Sequence, residues 1–490
     1  MHLRSDPEMK RADQLAARIG NARRRFPIWL LAAIVLAGPI GCRSQGERPN
    51  LLLFLTVDTL RADRLAAFGG SVGLTPRLDA LADESIVFTS TYAPSSFTLP
   101  SVSAMMTGRY PSELGIWLNQ SGLPGETPTL ARELKRRGWR TFAVVSNFVL
   151  RRESGLDAGF DLYDDSFRDR EAVRGLPERA AADTTDAGLA MIDRCTAGGG
   201  GSCLVWIHYQ DPHGPYTAPE ERSARFLSIE REVPGGRRVL PVNPTANGIG
   251  GIPKYQYLDG QREVAFYRAG YDAEVSYMDE ELGRLLGGIE ERGLMEDALI
   301  VFAADHGESL GEGNYWFAHG DYLSEVLVRV PFFLRIPGRA PEQRGDVVSL
   351  VDLYGTILRQ LTGESDVSDR LGRDLLDDGA AAGASMPYLD TRGASMERRY
   401  GIVDGEFKWI VTERGDVSTG RLYRIGRDGV AVEIRRPKRE RAMSERLEIL
   451  RRRVDRGVTE TRQHFTDADR AMLRALGYTG EFPNAEGEIR

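Results

Sequence analysis

The feature that most constrains this chain is a run of seven residues, Leu51–Val57 (LLLFLTV), whose only polar side chain is a threonine. A strand that faces water on one side alternates apolar and polar residues. A short continuous run suits a strand covered on both faces. Comparable runs recur at 141–145 (TFAVV), 204–207 (LVWI), 299–303 (LIVFA) and 332–336 (FFLRI). Helical patterns occupy 75–82, 129–137 and 270–292. This alternation predicts an α/β sandwich around a largely parallel sheet.

Other stretches break the pattern. Residues 214–262 are rich in Pro, Gly and charge without a clear period, and read as an insertion. From 400 to 434, short strand-like segments are separated by turns such as Asp404-Gly405 and Asp428-Gly429, which predicts a small antiparallel sheet. The expected organisation is a leader over 1–42, a polar linker over 43–49 and a main domain over 50–390. An antiparallel subdomain over 391–435 and an Arg/Glu-rich helical tail over 436–490 follow. The net charge is −7, from 64 basic and 71 acidic residues. No basic excess marks a nucleic-acid partner.

The leader has its own grammar. Arg23-Arg24-Arg25 precede sixteen residues, 26–41, that are apolar and contain two prolines. That length falls short of the roughly 20 residues of a membrane span. A basic stretch before a short apolar core is the layout of a secretory signal. It ends at Gly41-Cys42, which resembles a bacterial lipobox with Cys42 as the lipidated residue; an uncleaved N-terminal anchor is the alternative. Both place the body outside the cytoplasm, in the periplasm or cell envelope, held at the membrane by its N-terminus. Cys195 and Cys203 bracket the flexible TAGGGGS and are expected to pair in an oxidising compartment. A reactive thiol pair is the alternative.

Polar groups gather where the strands end. The first run ends at Asp58, another at Ser146-Asn147, a third at His208, Asp211 and His213, and a fourth at Asp305-His306-Gly307-Glu308. Open α/β sheets bind ligands outside the carboxyl ends of their strands. Of six histidines, His208, His213, His306 and His319 fall at or shortly after such ends. Asp58, Asp305 and His306 offer two carboxylates and an imidazole. That set suits Ca²⁺, Mg²⁺ or Mn²⁺, and admits Zn²⁺. Residues 96–111 (SFTLPSVSAMMTGRYP) predict a short helix with Thr98 as N-cap, Pro100 in the first turn and Gly108 as C-cap. Its first turn would present free N–H groups to an anion, and the Thr98 hydroxyl beside a cation is a candidate nucleophile.

Together these segments resemble the sulfatase family of the alkaline-phosphatase superfamily over about residues 50–435. The family signature is Cys or Ser, any residue, Pro, Ser, Arg, with Thr-Gly nine and ten positions after the first. Thr98-Leu99-Pro100-Ser101-Val102 and Thr107-Gly108 follow that spacing. The resemblance implies an alkaline-phosphatase-like α/β/α fold and one divalent metal ion, Ca²⁺ by family usage. It carries the metal role to Asp58, Asp305, His306 and Thr98, and substrate-side roles to His213 (in HYQDPHGPY) and His319 (in FAHGDY). Asn147, Ser101 and His208 are candidate substrate contacts. Departures are equally specific. Thr98 stands where sulfatases carry the Cys or Ser oxidised to formylglycine. Val102 replaces an arginine, Thr59 a second metal aspartate, Ser146-Asn147 a Lys-x-His pair, and Ala318 a lysine. The resemblance therefore implies a hydrolase of small anionic esters: sulfated or phosphorylated glycans, lipids or aryl esters. A threonine nucleophile leans toward phosphoryl transfer. A phosphoethanolamine-type transferase and a degenerate binding protein are the competing readings.

Overall fold

A computed structural model describes residues 48–472, apart from 72, 168, 171–176, 198–200, 245–246, 259, 365–367, 378–385, 394–396, 427–428, 456–465 and 468–470. The expected signal segment, Cys42 and the end of the tail lie outside the described residues.

The main sheet has nine strands: β1 (Leu51–Val57), β2 (Ile86–Tyr92), β3 (Arg140–Val145), β4 (Leu162–Asp164), β5 (Cys203–Tyr209), β6 (Ala298–Ala304), β7 (Arg329–Val330), β8 (Phe332–Arg335) and β9 (Glu342–Ser349). Their order is β7-β2-β8-β6-β1-β5-β3-β4, with β9 on β2. Strand β1 pairs in parallel with β6 on one side and β5 on the other, and β3 continues the parallel array to β4. The five apolar runs are all strands. Every residue of β1, β5 and β6 is buried. Strand β8 runs antiparallel to β6, so the sheet is mixed, though mostly parallel.

Helices cover the sheet in two groups. One comprises α1 (Pro76–Asp83), α4 (Ala181–Thr196) and α6 (Val264–Glu291); the other comprises α2 (Thr98–Thr107), α3 (Leu130–Arg136) and α7 (Asp352–Thr362). Helix α3 starts as the sequence suggests, with the Thr129 hydroxyl accepting the Arg132 N–H at 3.2 Å. Helix α6 begins six residues earlier than its pattern predicts, at Val264. Helix α5 (Glu220–Glu230) lies inside the stretch read as aperiodic and has no buried residue.

The antiparallel unit has five strands, β10 (Tyr388–Arg392), β11 (Arg398–Asp404), β12 (Phe407–Arg414), β13 (Val417–Ile425) and β14 (Ala431–Ile434), paired in chain order. Helix α8 (Pro437–Val454) packs Met443, Leu447 and Val454 against Tyr400, Ile402, Trp409 and Val411 of this sheet. The unit also braces the main domain. Thr391 Oγ1 donates to the Gly320 carbonyl at 2.5 Å, and Lys408 Nζ to the Leu323 carbonyl at 2.8 Å. No helix among the described residues is long and apolar enough to cross a membrane.

Candidate metal and ester site

The carboxyl ends of β1 and β6 are in register, which places Asp58 and Asp305 side by side. Asp58 N–H donates to the Tyr209 carbonyl at 3.0 Å, and Asp305 N–H to the Val57 carbonyl at 3.1 Å. Asp305 Oδ1 accepts the N–H groups of His306 (2.7 Å) and Thr59 (3.2 Å). To give that N–H, Thr59 adopts a left-handed conformation, φ 54°, rare for a β-branched residue. Tyr271 on α6 holds it there. Its hydroxyl donates to the Thr59 carbonyl at 2.8 Å and accepts the Arg61 N–H at 3.0 Å. Gly307 serves the same corner: a Cβ there would lie 2.0 Å from the Val326 carbonyl oxygen.

His306 donates from Nδ1 to the Gly307 carbonyl at 2.9 Å, so its Nε2 lone pair faces the cluster. That nitrogen lies 3.6 Å from Asp58 Oδ1, 3.7 Å from Asp305 Oδ2 and 3.3 Å from Thr98 Oγ1. Ligand atoms of Asp58, Asp305 and His306 all fall within 4.8 Å of one another, and all three residues are buried. Asp58 Oδ1 and Asp305 Oδ2 have no hydrogen-bond donor. Two buried carboxylates with orphan oxygens, beside an imidazole nitrogen that faces them and the Thr98 hydroxyl, fit a divalent cation. Without one, the pair is electrostatically unbalanced. Burial would raise the Asp58 carboxyl, but His213, His306 and His208 outweigh it and hold it below the usual range. Burial and the Asp58 charge push Asp305 well above that range.

Around this cluster the structure assembles most of the expected residues, with changed details. Thr98 is the first residue of α2 rather than its cap, and Phe97 occupies the cap position. The free helix N-terminus expected to meet an anion is partly occupied. Leu99 N–H donates to Asn119 Oδ1 at 2.9 Å, and Ser101 N–H to the Phe97 carbonyl at 3.1 Å. Ser101, expected on the substrate, donates its hydroxyl to the Asp305 carbonyl at 2.6 Å and so locks α2 to β6. Asn147 donates to Asp58 Oδ2 while its Oδ1 accepts the Val149 N–H at 2.8 Å. His208 Nδ1 meets Thr56 Oγ1 at 2.8 Å, and its Nε2 lies 4.0 Å from Asp58 Oδ2. His213 donates from Nδ1 to the Gly214 carbonyl at 2.8 Å. The His319 ring centre stands 4.6 Å from that of His306 and 5.2 Å from that of His213. Burial, then the neighbouring His306, depresses the His319 imidazole to about 3.

Three contributors have no role assigned from the sequence. Glu308 lies fully buried, its Oε1 3.4 Å from His319 Nδ1, and burial lifts its carboxyl to about 7. Arg61 is 5% exposed, bonds Asp63 and Glu312, and donates to the Glu308 carbonyl at 3.2 Å. Tyr271 reads in sequence as one more apolar position of a helix. Glu308 was visible in Asp-His-Gly-Glu; nothing in the sequence marks the other two. Cys195 and Cys203 are joined as a disulfide with Cα atoms 6.1 Å apart. Cys203 starts β5, at the end of that strand away from His208.

A mostly parallel sheet whose strand ends gather two aspartates, four histidines and a helix-borne hydroxyl is the architecture of the alkaline-phosphatase-like superfamily. The chain belongs to the sulfatase family, whose model matches residues 49–363. It is 25% identical to human iduronate 2-sulfatase over 359 residues, covering 62% of this chain and 63% of that protein. It is 27% identical to choline-sulfatase from Rhizobium meliloti over 350 residues, covering 63% and 67%. The chain thus spans about two thirds of the length of these curated relatives. Among solved structures, one in complex with its substrate D-glucosamine-2-N,6-O-disulfate superposes with a TM-score of 0.67 at 19% identity, covering 84% of this chain and 99% of that one. The phosphonate monoester hydrolase of Agrobacterium radiobacter gives 0.61 at 18% identity, covering 83% and 96%.

Proposed function

We propose that this chain is a metal-dependent hydrolase of small anionic esters, with Thr98 as nucleophile and phosphoesters as its preferred substrates. The observation that carries this is the Thr98 hydroxyl, 3.3 Å from His306 Nε2 at the edge of the Asp58, Asp305 and His306 cluster. Those three residues and Thr98 would hold the cation, Ca²⁺ by family usage. When bound, it supplies positive charge beside the Thr98 oxygen and the ester oxygens. Thr98 Oγ1 bonds to the central phosphorus as the bond to the departing ester oxygen breaks, and its proton passes to His213, whose Nδ1 is turned toward the Gly214 carbonyl. The departing ester oxygen takes that proton back. His319, which burial keeps neutral, contacts the anion. Water then cleaves the phosphothreonine and restores the hydroxyl.

The preference for phosphorus rests on Thr98. A formylglycine hydrate carries a second hydroxyl that expels bound sulfate; threonine has none. A sulfothreonine would need attack at sulfur, whereas a phosphothreonine is open to water. Sulfate esters are the second reading, favoured by the names of the curated relatives. The test compares nitrophenyl phosphate, phosphodiester and sulfate esters. Thr98→Ala is expected to abolish turnover and Thr98→Ser to retain part of it, with a phosphorylated Thr98 peptide trapped from wild type. Full activity in Thr98→Ala refutes the nucleophile.

We further place the protein at the cell envelope, anchored through Cys42. The basic stretch, short apolar core and Gly41-Cys42 support this. Globomycin or Cys42→Ala is expected to block maturation. A mature protein that keeps residues 1–41 refutes it.

A further inference from the structure

From His319 onward the chain runs through residues 319–323 in neither helix nor strand. Main chain outside a helix or sheet ladder must find other partners for its polar groups. Here five consecutive carbonyls each accept a side-chain donor. The Tyr315 hydroxyl serves His319 at 2.5 Å, Thr391 Oγ1 serves Gly320 at 2.5 Å and Arg399 Nη1 serves Asp321 at 2.5 Å. Ser96 Oγ serves Tyr322 at 2.9 Å and Lys408 Nζ serves Leu323 at 2.8 Å. Three of the five donors belong to the C-terminal sheet, and Ser96 stands two residues before Thr98. We propose that the C-terminal antiparallel sheet is a positioning element of the ester site. Its Thr391 and Arg399 are positioning residues that fix His319, and the start of α2, through this row of carbonyls.

The register of the sheet makes these donors converge. Thr391 on β10 pairs with Arg399 on β11, and Val403 on β11 pairs with Lys408 on β12. Residues directly opposite, and residues an even number of steps apart on one strand, share a face. Thr391, Arg399 and Lys408 therefore project from the same face. Leu389 and Val403 on that face pack with Tyr315, Leu323 and Leu327. Tyr400, Ile402, Trp409 and Val411 point the other way and meet α8. One face of the sheet thus holds its own helix, and the other holds the segment after His319. The row also reaches the nucleophile. A Cβ on Gly320, φ 95°, would lie 2.5 Å from the Phe97 ring, so the residue before Thr98 packs on bare main chain there. Ser96 Oγ stands 3.4 Å from Thr391 Oγ1. Arg399 adds a second hold, with its Cζ 4.4 Å from the centre of the Tyr322 ring, and is itself paired with Glu397, which is 3% exposed. Asp58, Asp305 and His306, by contrast, are held by groups at the strand ends of the main sheet. The use of His319 and Thr98 on an ester rests on the proposed function; the hold of the sheet on them does not.

The test uses the full chain, two variants on the site face and one on the α8 face. Thr391→Val keeps the shape of the side chain and leaves the Gly320 carbonyl without its donor. Arg399→Met does the same to the Asp321 carbonyl. Met443→Ala opens a cavity between α8 and the sheet and removes no donor from the row. All three are expected to melt below wild type, so stability alone does not separate them. Because His319 contacts the anion, KM for nitrophenyl phosphate is expected to rise about tenfold in Thr391→Val and Arg399→Met, with a smaller fall in kcat. Met443→Ala is expected to keep the wild-type KM, and Thr391→Ser to restore it by returning the hydroxyl. A second readout needs no turnover. In histidine-labelled protein, the His319 ring resonance, assigned with His319→Gln, is expected to shift in Thr391→Val and Arg399→Met and to coincide with wild type in Met443→Ala. If Thr391→Val does not fold, Arg399→Met carries both comparisons. A His319 resonance or a KM that stays at the wild-type value in both site-face variants, or that moves equally in Met443→Ala, overturns the proposal. A wild type that turns over no ester refutes the ester reading alone, and the ring resonance still decides the positioning.

Discussion

Asp305→Asn separates the metal role of this corner from its structural role. The variant keeps an Oδ1 acceptor for the Thr59 and His306 N–H groups, so the turn after β6 retains its hydrogen bonds. What it loses is one negative charge among ligand atoms that lie within 4.8 Å of each other. At an effective dielectric near 20, unit charges about 4 Å apart interact by about 4 kcal/mol, which is about a thousandfold in Kd. Wild type in calcium at 100 times its Kd gains about 2.7 kcal/mol. At the same concentration the variant gains almost nothing. In EDTA the order reverses: wild type must keep Asp305 protonated beside the buried Asp58 carboxylate, a cost Asn does not carry, and the Asn amide can donate to the orphan Asp58 Oδ1. The variant is therefore expected to melt at or above wild type in EDTA and to show no rise with calcium. Scanning fluorimetry across a calcium titration, with calorimetric binding alongside, measures both. A variant that responds at the wild-type midpoint refutes the metal assignment. A variant several degrees less stable in EDTA refutes the protonation cost.

Two other perturbations read the frame around the site. Gly307→Ala drives a methyl to 2.0 Å from the Val326 carbonyl oxygen, so calcium-dependent stabilisation and ester hydrolysis are both expected to fall at least tenfold, while circular dichroism stays near wild type. Lys408→Met removes the cation paired with Glu325, which is 7% exposed and also accepts the Tyr92 hydroxyl. Leaving that carboxylate uncompensated is expected to cost about 3–5 kcal/mol in denaturant titration. Because Lys408 also holds the Leu323 carbonyl, KM should rise before kcat falls.

The strand ends were legible because full burial leaves an unmistakable apolar run, and the residue just past each run sits at the sheet edge where ligands bind. Five such runs and four polar ends therefore located the cluster. Other elements carried no such mark. Strand β9 begins with exposed polar residues and pairs only with β2, so its sequence lacks any apolar pattern. Helix α5 has no buried stripe to read. The antiparallel direction of β8 leaves no mark in its composition. Within the site, residue types were readable but hydrogen-bond partners were not. Ser101 and Asn147 have the chemistry of substrate contacts, yet the fold places carboxylate and carbonyl oxygens of the same site within their reach. The donor from Thr59 is a backbone N–H, whose direction only the folded turn decides.

That turn has an implication for how this site can change. A β-branched residue held at positive φ stores on the order of 1–3 kcal/mol, and the buried Thr59 hydroxyl finds no partner to offset it. Aspartate and asparagine adopt the same backbone shape far more readily. In most proteins, adding a functional group to a buried corner erodes stability. Here the two run together, because the residue that relieves the strain is the residue that would bring another carboxylate beside Asp58. The main chain already has the bend such a ligand requires, and Tyr271 clamps it there whatever side chain occupies the position. Position 59 is thus a site where selection for foldedness alone would drift the protein toward a richer metal centre.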